Sequence, residues 1–220
     1  MEDTYRHKGM RKRLLDEIQA KYHYAPKVIE AMYKIPRHFF LDGAFEEFAY
    51  TDKAFPIDEQ QTISQPSTVA YQTHLLDISP RQHVLEIGTG SGYQAAVLAA
   101  IGARVYTVER HEQLHLKAKT IFDFLSLGSV RAFFGDGSKG LGEFAPFDRI
   151  LVTAATSSVP PALLKQLIVG GKLVIPVGNT HEQKMHIITR TGNHDYETST
   201  FGRFKFVPLL RGKNYKHPNN

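Results

Sequence analysis

Three short stretches of this chain carry residues able to do chemistry. The first is "QQTISQPS" (60–67), small, polar and uncharged, set between a charged N-terminal third and an apolar remainder. Its Gln, Thr and Ser side chains could form a row of hydrogen-bond partners aimed at a ligand. They could equally form a loop into a helix, with Ser64, ahead of Gln65 and Pro66, as the side-chain cap of the first turn. The second stretch is "VLEIGTGSGY" (84–93), which puts Gly88, Gly90 and Gly92 between a strand pattern and a helix pattern. Glycines there let backbone approach a ligand, and the open N–H groups of a helix start attract polar groups. The third is "HEQLH" (111–115), a literal H-E-x-x-H, whose histidines would hold zinc while Glu112 acts as base.

Acidic neighbours decide what the glycine turn holds. Glu109 ends the next strand pattern, 21 residues after Gly88, where a carboxylate can take two ribose hydroxyls. A dinucleotide site needs G-x-G-x-x-G and a pyrophosphate to fill it. Here the spacing is G-x-G-x-G, with Glu86 two places before the first glycine. A carboxylate aimed at the turn would repel a pyrophosphate, but it suits the cationic methionine end of S-adenosylmethionine. "GDG" (135–137) adds Asp136 as an acceptor for an adenine amino group. Together these residues point to a methyltransferase that uses S-adenosylmethionine.

The histidine pair fits that picture poorly as a metal site. It follows directly on Glu109, so it opens the helix after the second strand, and Leu114, Ala118 and Ile121 must turn that helix toward the sheet. A third ligand would have to come from His181, His186 or His194, in a β-patterned tail. His111 and His115 are read as surface histidines, and no metal is expected.

The elements behind these motifs alternate. Residues 9–35 read as helices, with Pro26 suited to a first turn and Pro36 to a stop. From residue 66 come a helix ("STVAYQTHLLDI"), a strand (83–87), a helix ("GYQAAVLAAI"), a strand (104–109), a helix ("EQLHLKAKTIFDFL") and a strand (130–134). "FDRILVTAA", the helix "PALLKQLI" and the strand "GKLVIPVG" complete the run. "KMHIITRT" and "STFGRFKFVPLL" flank a turn at "TGNHD" as an antiparallel pair. The fold expected is α/β: a doubly wound, mainly parallel, Rossmann-like sheet with a helical N-terminal extension and an antiparallel C-terminal β tail. The organisation expected is an extension and ligand loop over 1–65, a methyltransferase domain over 66–212, and a disordered tail over 213–220.

Composition narrows the acceptor. The chain has 220 residues, 42% hydrophobic and 22% charged, with a scattered net charge of +5 and no cysteine. Without cysteine there is no thiol nucleophile, so C5-methylation of cytosine is excluded. "VTAATSSVPP" after the fourth strand lacks the N/D-P-P-Y/F signature of amine methylation on bases, and no base-flipping aromatic platform is evident. The N-terminus lacks the apolar core of a signal peptide, and no segment is long and apolar enough to span a bilayer. No nucleic-acid or membrane partner is expected; a cytoplasmic monomer is.

Beyond these motifs the chain resembles the protein-L-isoaspartate O-methyltransferase family from about residue 10 to 212. The resemblance rests on "VIEAMYKIPRHFF", "AYTDKAFPI", "QTISQPSTVA", "VLEIGTGSGYQAAVLA", "VYTVER", "GDGSKG", "PFDRILVTAA", "GGKLVIPVG" and "FVPLL". It implies methyl transfer to the free α-carboxylate of isoaspartyl residues in damaged proteins and peptides, after which the ester closes to a succinimide unaided. It implies that Ser64 is the active-site serine and that Gln61, Thr62 and Ile63 close over cofactor and substrate. It also implies that Gly88, Gly90, Glu109, Asp136 and Gly137 hold S-adenosylmethionine. One departure stands out: Asp58 and Gln60 occupy positions where the family has glycine. If that backbone needs positive φ, Gln60 is strained there.

Overall fold

A computed structural model describes residues 2–215 of the chain. Two N-terminal helices come first, α1 (Tyr5–Tyr22) and α2 (Pro26–Lys34). Leu14, Leu15 and Ile18 recur at one- to four-residue steps on one side of α1 and are buried, while Pro26 starts α2 as its sequence position predicts. The 3-10 turns at Arg37–Phe40 and Gly43–Phe48 lead to a two-stranded hairpin, β1 (Phe55–Pro56) with β2 (Thr62–Ile63). α3 (Pro66–Leu76) follows directly.

The rest is the alternating unit. β3 (His83–Ile87), α4 (Tyr93–Ala100), β4 (Arg104–Glu109), α5 (Glu112–Phe124), β5 (Val130–Phe134), β6 (Phe147–Val152), α6 (Pro161–Lys165) and β7 (Leu167–Gly178) follow in order. β8 (Gln183–Arg190) and β9 (Tyr196–Phe204) end the sheet. The strand order is β5-β4-β3-β6-β7-β8-β9, with the first five parallel and the last two antiparallel. β3 and β4 are almost wholly buried, as strands covered on both faces must be.

The N-terminal helices share the core of the sheet. Val28 and Met32 of α2 belong to one apolar cluster with Val84 of β3 and Val97 of α4. This seats "IPRHFF" and the hairpin over the C-terminal ends of β3 and β4, where crossovers on opposite sides leave a crevice. No helix among the described residues is long and apolar enough to cross a membrane.

Two boundaries differ from the sequence pattern. The helix read over 161–168 stops at Lys165, and Leu167 already belongs to β7. Ile168, Val169, Gly170 and Gly171 favour extended chain over another helical turn. Of the tail expected to be disordered, Asn214 pairs with the start of α5, its N–H donating to Arg110 (2.7 Å) and its carbonyl accepting from Glu112 (2.9 Å). Residues 216–220 lie outside the described part.

Candidate active site

The crevice is built on the ends of β3 and β6. After β3 the chain turns through Gly88, Gly90 and Gly92, all with positive φ (96°, 52° and 90°). A Cβ at Gly88 would lie 2.5 Å from the Thr153 hydroxyl, so only glycine fits. A Cβ at Gly90 would meet nothing nearer than Ile57, 3.7 Å away, which leaves open room on that side. Thr153, just past β6, ties the two strand ends together by donating to the carbonyls of Gly88 (2.7 Å) and Ile87 (3.0 Å).

One cavity runs over this turn. Gln61, Thr62, Gly88, Gly90, Glu109 and Gly137 line it, so six residues picked from sequence come together. Glu109 is buried; its two oxygens accept the N–H groups of Gly90 (2.8 Å) and His111 (2.9 Å). Each oxygen can accept a second hydrogen bond, the capacity a pair of ribose hydroxyls requires. Val207, Pro208 and Leu209 close the far side, held by reciprocal bonds between this segment and Ala155.

Other expected residues stand elsewhere. Glu86 does not line the cavity: it is fully buried within the sheet, where the Thr107 hydroxyl, itself bonded to Thr89 of the turn, lies 2.5 Å from it. Burial pushes its pKa up to about 8, with Glu109 adding to the rise and the Thr107 bond opposing it. It is therefore a protonated, neutral group near pH 7, and the charge contrast read from sequence is not its role here. Gly92 does not line the cavity; a Cβ there would strike the Phe122 ring at 2.8 Å, so it serves the packing of α4 on α5. Asp136 accepts from the Ser138 N–H (3.0 Å) and hydroxyl (2.7 Å), while only its neighbour Gly137 faces the cavity. Burial works against the Asp136 charge, but bonds from Gly212 and Ser138 outweigh it and hold the pKa below the ordinary carboxylate range.

Ser64 stands where two further cavities meet. One, with Ile63, includes Gly88 to Ser91 of the glycine turn; the other includes Arg203, Lys205 and Phe206. Thr62 and Thr153 line all three spaces. Ser64 is not the helix cap expected from sequence. Gln65 occupies the N-cap position of α3 but its amide donates to the Ser67 hydroxyl (2.9 Å) rather than capping a backbone N–H, and the Ser67 N–H is taken instead by Asp52 (2.8 Å). Behind Ser64 lies Arg37, fully buried, donating to the Ser64 carbonyl at 2.8 Å and packed over the Tyr93 ring at 5.0 Å. Burial lowers the Arg37 pKa to about 10, so it stays cationic at neutral pH.

The hairpin roof carries the departure noted in the sequence. Gln60 has φ 56° and Glu59 φ 58°, so two residues that disfavour the left-handed region both occupy it. Their neighbours anchor the turn: Asp58 pairs with Lys117, and Glu59 reaches His111 (3.2 Å). His111 is thus buried rather than a surface residue, its ring also meeting Asn214 at 2.9 Å, while His115 packs near Phe134. Thr153, Val207 and His111 were not singled out from sequence as cavity residues. For Thr153 a signal existed, its place at the end of a strand flanking the crossover point.

A doubly wound sheet with a glycine turn on its first strand and a carboxylate ending the second defines a Rossmann-like nucleoside-binding domain, and similarity to known proteins makes it a methyltransferase dependent on S-adenosylmethionine. Residues 9–214 match the family model described as protein-L-isoaspartate(D-aspartate) O-methyltransferase. The chain belongs to that family. It is 50% identical over 214 residues to the protein-L-isoaspartate O-methyltransferase of Christiangramia forsetii, covering 97% of this chain and 100% of that one. A solved protein-L-isoaspartate O-methyltransferase is 28% identical with a TM-score of 0.82, over 90% of this chain and 65% of that longer one. A Plasmodium falciparum chain solved with S-adenosyl-L-homocysteine is 22% identical with a TM-score of 0.79, over 93% and 98% of the two chains, and shares the fold.

Proposed function

We propose that this chain methylates the free α-carboxylate of L-isoaspartyl residues in damaged proteins and peptides, with Ser64 positioning that carboxylate. The observation that carries the assignment of Ser64 is its place between the glycine-turn cavity and the cavity of residues 203–207. S-adenosylmethionine supplies an electrophilic methyl group on sulfur. The cavity over the turn suits it: Glu109 for the ribose, free space above Gly90, and Gln61 and Thr62 from the roof.

The acceptor needs no base. An α-carboxylate has a pKa near ~3.5 and is ionised at neutral pH. What the protein supplies is alignment, worth roughly 7–11 kcal/mol when good, and removal of water from a nucleophile that hydration weakens. The Ser64 hydroxyl, unused as a cap, donates to the carboxylate. Arg37 fixes the Ser64 backbone and adds positive charge behind it. Incubating an aged, deamidated protein with this enzyme and S-adenosylmethionine lowers its isoaspartyl content over repeated cycles; an unchanged content would contradict the reading.

A further inference from the structure

The cavity beyond Ser64, about 280 Å³, has walls of unlike character. Thr62, Ser64, Gln65, Thr68 and Thr153 form one side, all uncharged hydrogen-bonding residues. The other is the end of β9 and its continuation, bearing Arg203 and Lys205. Among the described residues no aspartate or glutamate lines this space. Residues 203–206 alternate between exposed and half-buried, so in extended chain the two cations share one side. Phe204 and Phe206 turn inward, and Phe204 stacks on Tyr71 at 5.4 Å, which fixes the strand. Among the described residues no carboxylate pairs with Lys205, and Arg203 meets only the exposed Glu182, at 3.4 Å.

Such a mouth does more than admit one carboxylate. The isoaspartyl α-carboxylate belongs at Ser64, deep between two cavities, while the cations stand exposed at the rim. They face whatever flanks the damaged residue. We propose that Lys205, assisted by Arg203, is a specificity-determining residue that attracts acidic side chains flanking the isoaspartyl position. The enzyme then favours damage in acidic segments. This rests on the isoaspartyl methyltransferase reading above. Exposed ion pairs are weak, so the preference is about two- to fivefold per cation, and it is screened by salt.

The test compares isoaspartyl peptides of one length carrying Glu, Ala or Lys on either side of the isoaspartyl residue. Methyl transfer is measured at low and high salt with the unmodified enzyme, Lys205→Ala, Lys205→Glu and Arg203→Ala. The expected result is a kcat/KM for Glu-flanked over Ala-flanked peptide of roughly three to ten at low salt, carried by KM. That ratio shrinks in Lys205→Ala and Arg203→Ala, inverts in Lys205→Glu and fades at high salt. A misfolded variant would instead lose kcat on every peptide alike, leaving the ratio intact. Equal rates on the Glu- and Ala-flanked peptides with the unmodified enzyme, or a ratio that survives Lys205→Ala and Lys205→Glu while kcat is retained, would overturn the proposal. No transfer to any isoaspartyl peptide would overturn the methyltransferase reading, and this inference with it.

Discussion

The Asp52 carboxylate accepts the Ser67 backbone N–H at 2.8 Å, capping α3 from a separate segment and leaving the hydroxyl of Ser64 without a partner among the described residues. The two roles that sequence placed on one serine are therefore divided between two residues. Asp52→Ala is expected to cost about 1 kcal/mol of stability, the ordinary worth of a cap. Ser64→Ala is expected to leave the unfolding midpoint in place and to slow turnover roughly ten- to two-hundred-fold, the loss of one hydrogen bond to a charged group. Denaturant titration and steady-state kinetics on both variants separate them. A Ser64→Ala protein destabilised as much as Asp52→Ala would return the capping role to Ser64.

Left-handed backbone at Gln60 costs the native state, and the exposed Gln60 side chain has no hydrogen bond among the described residues to offset it. Gln60→Gly should therefore stabilise by roughly 0.5–1 kcal/mol, the relief of strain exceeding the added freedom of the unfolded chain. Glu59→Gly should gain less, because it also loses the contacts with His111 and Asn214. Chemical denaturation of both variants checks the order.

Glu86 gives a signed dependence on pH. Its folded pKa, about 8, lies above its unfolded value of 4.5. The stability it contributes is complete below about 4.5 and is lost as pH rises through about 8, because ionisation is then resisted by the folded state alone. Between about pH 4.5 and 8 the unfolding free energy should fall, levelling off above that, and Glu86→Gln, which keeps an acceptor for Thr107, should remove that part of the slope. A slope unchanged in Glu86→Gln would refute this assignment.

Gly88 and Gly92 share positive φ but differ in what they serve. Alanine at either position should destabilise by about 1–3 kcal/mol. Only Gly88→Ala, which disturbs the Thr153 link under the cavity floor, should also weaken S-adenosylhomocysteine binding by more than about tenfold. Isothermal calorimetry of the folded variants distinguishes them; equal losses of affinity would place Gly92 in the binding site as well.

Much of this was legible in the sequence because short-range signals and tertiary packing agree. β3 and β4 are runs of five and six residues rich in Val, Ile, Leu and Tyr and bounded by turns, and they fold as buried parallel strands. Gln61, Thr62, Gly88, Gly90, Glu109 and Gly137 fall at fixed offsets from those strand ends, so they converge once the sheet forms. What stayed hidden depends on contacts between distant segments. Nothing near Ser64 announces that Asp52 caps its helix. Glu86 looks like a ligand-facing charge until strand pairing sets it opposite Thr107 inside the sheet. His111 reads as half of a metal motif until the hairpin and residue 214 arrive over it.

The central claim is chemical selectivity for one isomer of one residue. The direct measurement is transfer of labelled methyl from S-adenosylmethionine to an isoaspartyl peptide and to its normal aspartyl twin of identical sequence. The account predicts base-labile label on the isoaspartyl peptide, none on the twin, and slow transfer by Ser64→Ala despite intact S-adenosylhomocysteine binding. Equal labelling of the two peptides, or labelling of neither, would contradict it.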